Sequence, residues 1–180
     1  LFDPREVEAE RQVIVEERAR DQESPFQRLD HQHMLTSYLR HSYRNPILGW
    51  PEDLQRIDAT ILRQFHTKHY GPDNALLVVV GDVRAAWAFK AVERAFGGVP
   101  RRGTRVEPSP IPEPRQNGRR EFILRESESV ARGILGWHTI PSDHSDEAAL
   151  DLMSDLLCLG RRSRLWHRLV EDLRIATWVD

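Results

Sequence analysis

Five of the chain's 11 prolines (Pro100, Pro108, Pro110, Pro112 and Pro114) fall between residues 100 and 118, in a stretch almost without large apolar side chains. Proline fixes φ and removes a backbone donor, so neither a helix interior nor a central strand can run through such a segment. An extended, semi-rigid joint is expected there, dividing the 180 residues into a region before it and a region after it. The boundaries that follow are 1–99 for the first domain part, 100–119 for the linker and 120–180 for the start of a second domain.

The first region mixes helical and strand-like patterns. Asp3 before Pro4, with Glu6 three residues after the cap, is a helix start, and that helix should run to about Asp21. A second helix is expected over "PFQRLDHQHMLTSYLRHSY", ending at Asn45-Pro46. "RNPILGWPED" is punctuated too densely by Pro46, Gly49 and Pro51 for regular structure. Asp53 is positioned to cap a third helix, in which Leu54, Ile57, Ile61 and Phe65 recur at helical spacing. The apolar run from Ala75 to Val80 in "ALLVVVGDV" reads as a strand buried on both faces. "AAWAFKAVERAF" is a further helix, closed by Gly97-Gly98. Beyond the joint come two strand-like runs, "REFILRE" and "SVARGILGWHTI". Two helices follow, one over "SDEAALDLMSDLLCLG" and one beginning near "RSRLWHRLVEDL". The fold class implied is α/β (α+β).

Composition narrows the partners. With 39% hydrophobic and 30% charged residues the chain has the makings of a folded core. A formal charge of −2, from 26 basic and 28 acidic side chains, sets up no one-signed field, which disfavours nucleic acid and anionic membrane as partners. The single cysteine, Cys158, allows no internal disulfide and reads as a small buried hydrophobe. No apolar run reaches the roughly 18 residues of a membrane helix, and no leader pattern stands at the start. The chain opens on "LFDPREVEAER" without methionine and stops inside the apolar pattern of "RIATWVD", so it is read as a segment of something longer.

Chemistry is concentrated in "EAERQVIVEE". On a wheel of about 100° per residue Val7, Glu10, Ile14 and Glu17 share one narrow arc, with Val13 beside it. Both acids are therefore expected to face the core, where an ionised carboxylate needs a cation or several donors. Two explanations stand. In one, Arg11, Arg18 or Arg20 supplies the cation; in the other, a metal ion does. The histidines offer weaker sites: His66 and His69 share a helix face at i, i+3, and His31 and His33 flank Gln32. Neither pair has a carboxylate or cysteine at a metal-site spacing, so packing or surface roles are expected. His138 reads as a packed or edge residue. No H-E-x-x-H, H-x-x-E-H, G-x-S-x-G, Walker loop or C-x-x-C occurs.

Three pieces of the chain, in order, resemble the M16 metallopeptidases (pitrilysin, insulinase and the mitochondrial processing peptidase). They are "EAERQVIVEE", then "HSYRNPILGWPEDLQRIDATILRQFHTKHYGPDNALLVVVGDV", then "LGRRSRLWHRLVED" after the proline-rich joint. The resemblance implies helices packed on a mostly antiparallel sheet. Residues 1–99 would be the C-terminal part of the catalytic-type domain and 120–180 the beginning of a second, homologous domain. It implies a Zn2+ cofactor held by two histidines of an H-x-x-E-H motif and by the second glutamate of an E-x6-E pair. Glu17 matches that metal ligand, and Glu10 matches the first glutamate, whose part is to orient a ligating imidazole from outside the coordination sphere. The H-x-x-E-H segment, with the glutamate that activates water, would precede residue 1, so no catalytic residue is assigned within the chain and the segment alone is expected to be inactive.

The reading that results is a segment of a zinc-dependent metalloendopeptidase acting on peptides or unfolded proteins. Its partners would be a peptide substrate and the remainder of its own chain or a homologous subunit. A non-catalytic M16-like scaffold subunit paired with an active partner is the alternative, and an unrelated α/β interaction module with arginine-paired acids is a third. Where the family often carries "LAY" this chain has "IATW", so no substrate-binding role is assigned to that end.

Overall fold

Three of the chain's helices start on a proline. In the computed structural model, which describes residues 2–101 and 111–180, α1 spans Pro4–Glu23, α2 Pro25–Ser37 and α3 Pro51–Arg56. Proline suits a first helical position because its missing N–H would have had no partner there. Asp3 caps α1 by accepting from Arg5 N at 2.8 Å, and Ser24 both ends α1 and caps α2. Here α1 runs two residues past the expected Asp21, and α2 stops at Ser37, well short of Asn45. The expected cap at Asp53 is not used. Instead the third helical stretch divides at Asp58, whose carboxylate accepts from Thr60 N and Ile61 N, both at 2.8 Å, and opens α4 at Ala59–His69. A short side chain that captures nearby backbone donors starts a new helix more readily than it continues an old one. After a 3-10 turn at Pro72–Asn74, α5 spans Ala85–Phe96 with Gly97 at its end.

The α/β (α+β) expectation, with helices laid on a mostly antiparallel sheet, is overturned: among the described residues every hydrogen-bonded element is helical and none is a strand. Local preference is not the fault, since Ala75 has the extended backbone expected of it (φ −129°, ψ 143°). A strand, however, is defined by a ladder to a neighbour, and Leu76 to Val80 find no such neighbour among the described residues. Nor is the run buried, because its side chains are 52% to 90% exposed. With α5 it walls an apolar cleft of about 440 Å³, lined among others by Leu77, Val79, Val83, Ala88 and Phe89, and no titratable side chain reaches into it.

Two compact units are present, Leu1–Gly136 and Trp137–Asp180. Of the expected joint, residues 102–110 lie outside the described ones. The part from 111 onward lies against α2 in the first unit. Glu113 accepts from the backbone N–H groups of Leu39, Arg40 and His41 at 2.8, 2.8 and 2.9 Å. Arg120 donates to the carbonyls of Thr36 and Ser37 at 3.2 and 2.9 Å, satisfying acceptors that a helix C-terminus leaves open. Glu126 forms a two-pronged ion pair with Arg28, near the start of α2. Gly136 then passes so close to His33 that a Cβ there would stand 2.5 Å from the imidazole. The segment therefore runs antiparallel to α2 from Glu113 to Glu126, then bends and returns, so that Gly136 lies back at His33.

In the second unit α6 spans Glu147–Cys158, and Cys158 is half-buried. The expected last helix begins near the right place but is wound more widely, as a π-helix over Trp166–Asp172, with Leu173 N donating five residues back to Arg168 O at 3.1 Å. Its start is held by buried Ser163, whose hydroxyl accepts from Trp166 N at 3.3 Å.

Candidate metal-ligating face of the first helix

α1 has no fully buried residue. Its half-buried positions are Val7, Arg11, Ile14 and Arg18, a stripe within about 60° on the wheel that packs toward α2 and α3. Glu10 and Glu17 stand about 70–90° to one side of that stripe's centre and about 20° from each other. Both are exposed, and so is Val13 beyond them. The inward orientation expected of the two acids is thus not observed: the arginine stems, not the carboxylates, occupy the packed face. A long arginine can lay its methylenes on a neighbour while its guanidinium finds a polar partner, which a scale that counts arginine as purely polar does not show.

The arginines do not pair with the candidate acids. Arg11 donates from Nη1 to Gln55 O at 2.9 Å and pairs with Glu8. Arg18 donates from Nη1 to Gly49 O at 2.6 Å. No hydrogen bond or ion pair engages Glu10 or Glu17 among the described residues. The arginine-counterion explanation therefore finds no support here, and two carboxylates remain on one line of the helix, about 10 Å apart along its axis. At that separation a single ion with ligand bonds near 2 Å takes an oxygen from only one of them directly.

The histidines stay apart from these acids. Among the described residues no three His, Cys, Asp or Glu side chains gather in a metal-binding group. His66 stacks on Tyr70, with centroids 5.0 Å apart, and His69 lies 4.3 Å from Phe65, so both imidazoles are used in ring packing. His138, in the second unit, is exposed. His31 is the unusual one: its ring leans on Trp50 at 5.6 Å, and its Nε2 is buried without a hydrogen-bond partner. Burial, seconded by the Arg18 guanidinium, holds this imidazole below its ordinary range, and Asp30 opposes them. Sequence reasoning named Arg11 and Arg18 as partners for the acids and gave His31 a packing or surface role, but it did not show that the arginines reach backbone carbonyls or that the His31 Nε2 is buried without a partner. The available signal for the arginines was the repeated Glu-Arg dipeptide, Glu10-Arg11 and Glu17-Arg18, at the seven-residue spacing of one helix stripe.

Against known proteins, residues 56–179 match the family model described as the peptidase M16 inactive domain. The chain belongs to the peptidase M16 family. Curated relatives named as zinc proteases align with nearly its whole length. The zinc protease PqqE of Helicobacter pylori is 32% identical over 171 residues, covering 93% of this chain and 38% of that one. The uncharacterized zinc protease YmxG of Bacillus subtilis is 26% identical over 175 residues, covering 97% and 42%. The crystal structure of a protease from Helicobacter pylori superposes with a TM-score of 0.80 at 30% identity, over 98% of this chain and 44% of that one. This M16 chain thus spans about two fifths of the length of these relatives. Glu10 and Glu17 precede the span matched by the family model and lie within the region shared with YmxG and with the Helicobacter pylori crystal structure.

Proposed function

We propose that this M16 chain contributes one carboxylate ligand and one supporting carboxylate to the metal centre of a zinc-dependent endopeptidase that cleaves peptides or unfolded proteins. What supports the reading is the E-x6-E match of Glu10 and Glu17 together with the likeness to proteins named zinc proteases; the two acids share one exposed flank of α1, and the neighbouring arginines are spent on backbone carbonyls. Carboxylate oxygens so disposed fit part of a zinc donor set. They do not complete one, since three protein ligands and an open position are needed. The other ligands would come from sequence outside these 180 residues.

When bound, zinc would polarise the scissile carbonyl and lower the pKa of a water. The work of this chain's own residues is narrower. Glu17 supplies an anionic oxygen, and Glu10, two turns earlier, accepts a hydrogen bond from an imidazole N–H and so fixes its ring angle. The 180-residue chain alone is expected to hold zinc weakly and to cleave nothing.

In the longer protein Glu17→Gln should abolish stoichiometric zinc and peptide cleavage, while Glu10→Gln should weaken zinc about 10-fold to 100-fold. Full retention of zinc by the Glu17 variant would defeat the assignment. A second reading, a non-catalytic M16 scaffold subunit paired with an active partner, draws support from the description of the matched domain as inactive. Zinc titration of the longer protein separates the two, because a scaffold would leave both acids without metal.

A further inference from the structure

We infer that Arg11 and Arg18 are positioning residues that set the rotation of α1, and with it the angle at which Glu10 and Glu17 are presented; this rests on the metal reading above. α1 is an unusual support for a ligand, because it has no fully buried residue and only Val7 and Ile14 as half-buried apolar contacts. Apolar contact is not directional, so two such side chains leave the helix free to roll. A carboxylate carried about 5–6 Å from the axis moves roughly 1 Å for each 10° of roll. A productive ligand geometry tolerates about half that displacement.

The two guanidinium bonds supply the missing direction. Each ends on a carbonyl that is itself fixed. Gly49 O belongs to a turn closed by Gly49 N donating to Pro46 O at 2.9 Å, at a φ of +79° that glycine alone adopts without strain. Gln55 O lies in the last turn of α3, next to Leu54, which is 7% exposed. The attachment points are seven residues apart on α1, so together they resist rolling and sliding where one alone would act as a pivot. Each clamp directly follows one candidate acid, which places every acid at a fixed offset of about 100° from a secured neighbour. The loop "RNPILGWPED" thereby acquires a role, as the mooring for Arg18.

The test uses the longer protein. Zinc affinity is measured by competition with a chelating dye, and thermal unfolding of the metal-free form is followed in parallel, for Arg11→Ala, Arg18→Ala, Arg18→Lys and Glu17→Gln. Both alanine variants should lose about 10-fold to 100-fold in zinc affinity, the range for groups that orient ligands without touching the metal. The metal-free unfolding temperature should move little. Because Arg18 serves one carbonyl through one nitrogen, the lysine variant should recover most of the affinity. Loss of zinc by Glu17→Gln with unchanged affinity in the folded alanine variants would overturn this inference and leave the metal assignment intact. Retention of zinc by Glu17→Gln would instead overturn the assignment beneath it. Should Arg18→Ala fail to fold, Arg11→Ala and Arg18→Lys decide: wild-type affinity in the first, or alanine-like loss in the second, counts against the clamp.

Discussion

Lowering the pH should detach the segment after the proline-rich joint from α2 far below the range in which carboxylates ordinarily titrate. Glu113 is the group responsible. Its partial burial pushes the pKa up, but three backbone N–H donors, from Leu39, His41 and Arg40, and the Arg120 guanidinium outweigh that and bring it from 4.5 to about 2. At pH 3 a carboxylate of ordinary pKa would be only about 3% ionised, whereas Glu113 would still be about 90% ionised. The sign follows from the depressed folded value: the anchorage is fully present above about 4.5 and is lost as the pH falls through about 2. Amide hydrogen exchange at Leu39, Arg40 and His41 reads this directly. In Glu113→Ala all three amides lose their acceptor and should exchange fast at any pH. In Glu113→Gln, which keeps one oxygen, protection should fall in part. Wild-type protection that disappeared already near pH 4.5, or persisted in the alanine variant, would refute the account.

Two further outcomes concern the packing beneath α1. His31, held below its ordinary 6.5, should make the protein less stable as the pH drops from 6.5 through its lowered folded value, because the folded state resists the proton that the unfolded chain accepts. His31→Phe keeps an aromatic ring against Trp50 and should flatten that acid slope in urea midpoints, and an unchanged slope would clear His31 of the effect. Leu54→Ala removes one of the two buried apolar side chains among the described residues and should cost about 2–3 kcal/mol, the low end for buried leucine because its surroundings are open enough to relax. A loss within 0.5 kcal/mol, the size of an ordinary surface change, would show that Leu54 does not anchor the first unit.

What the sequence revealed was what short-range chemistry decides. Asp3 with Pro4 opened α1 and Gly97 closed α5, whereas the stretch "RNPILGWPED", expected to lack regular structure, does so only between Asn45 and Trp50, since Pro51 opens α3 within it. The division at Asp58 was hidden because its side chain competes for donors only one turn away, a choice that the apolar period of Leu54, Ile57 and Ile61 overrode on paper. The strand at Ala75–Val80 failed for the opposite reason: extended propensity is local, but a ladder requires an edge elsewhere. The E-x6-E spacing of the candidate site was legible, and so was the family that it resembles. Its orientation was not, because Arg11 and Arg18 bury their stems and aim their heads at distant carbonyls, which no wheel of hydrophobicity records.

The course of residues 113–126 antiparallel to α2, with the return to His33 at Gly136, has a mechanical corollary. Tension arriving from beyond Gly136 meets the His33 contact first, then the Arg28–Glu126 pair, then Arg120 and finally Glu113, so the fastenings carry load one after another rather than all at once. Pulled from that end, such a seam is expected to open one fastening at a time, and the slack released is set by how many have parted.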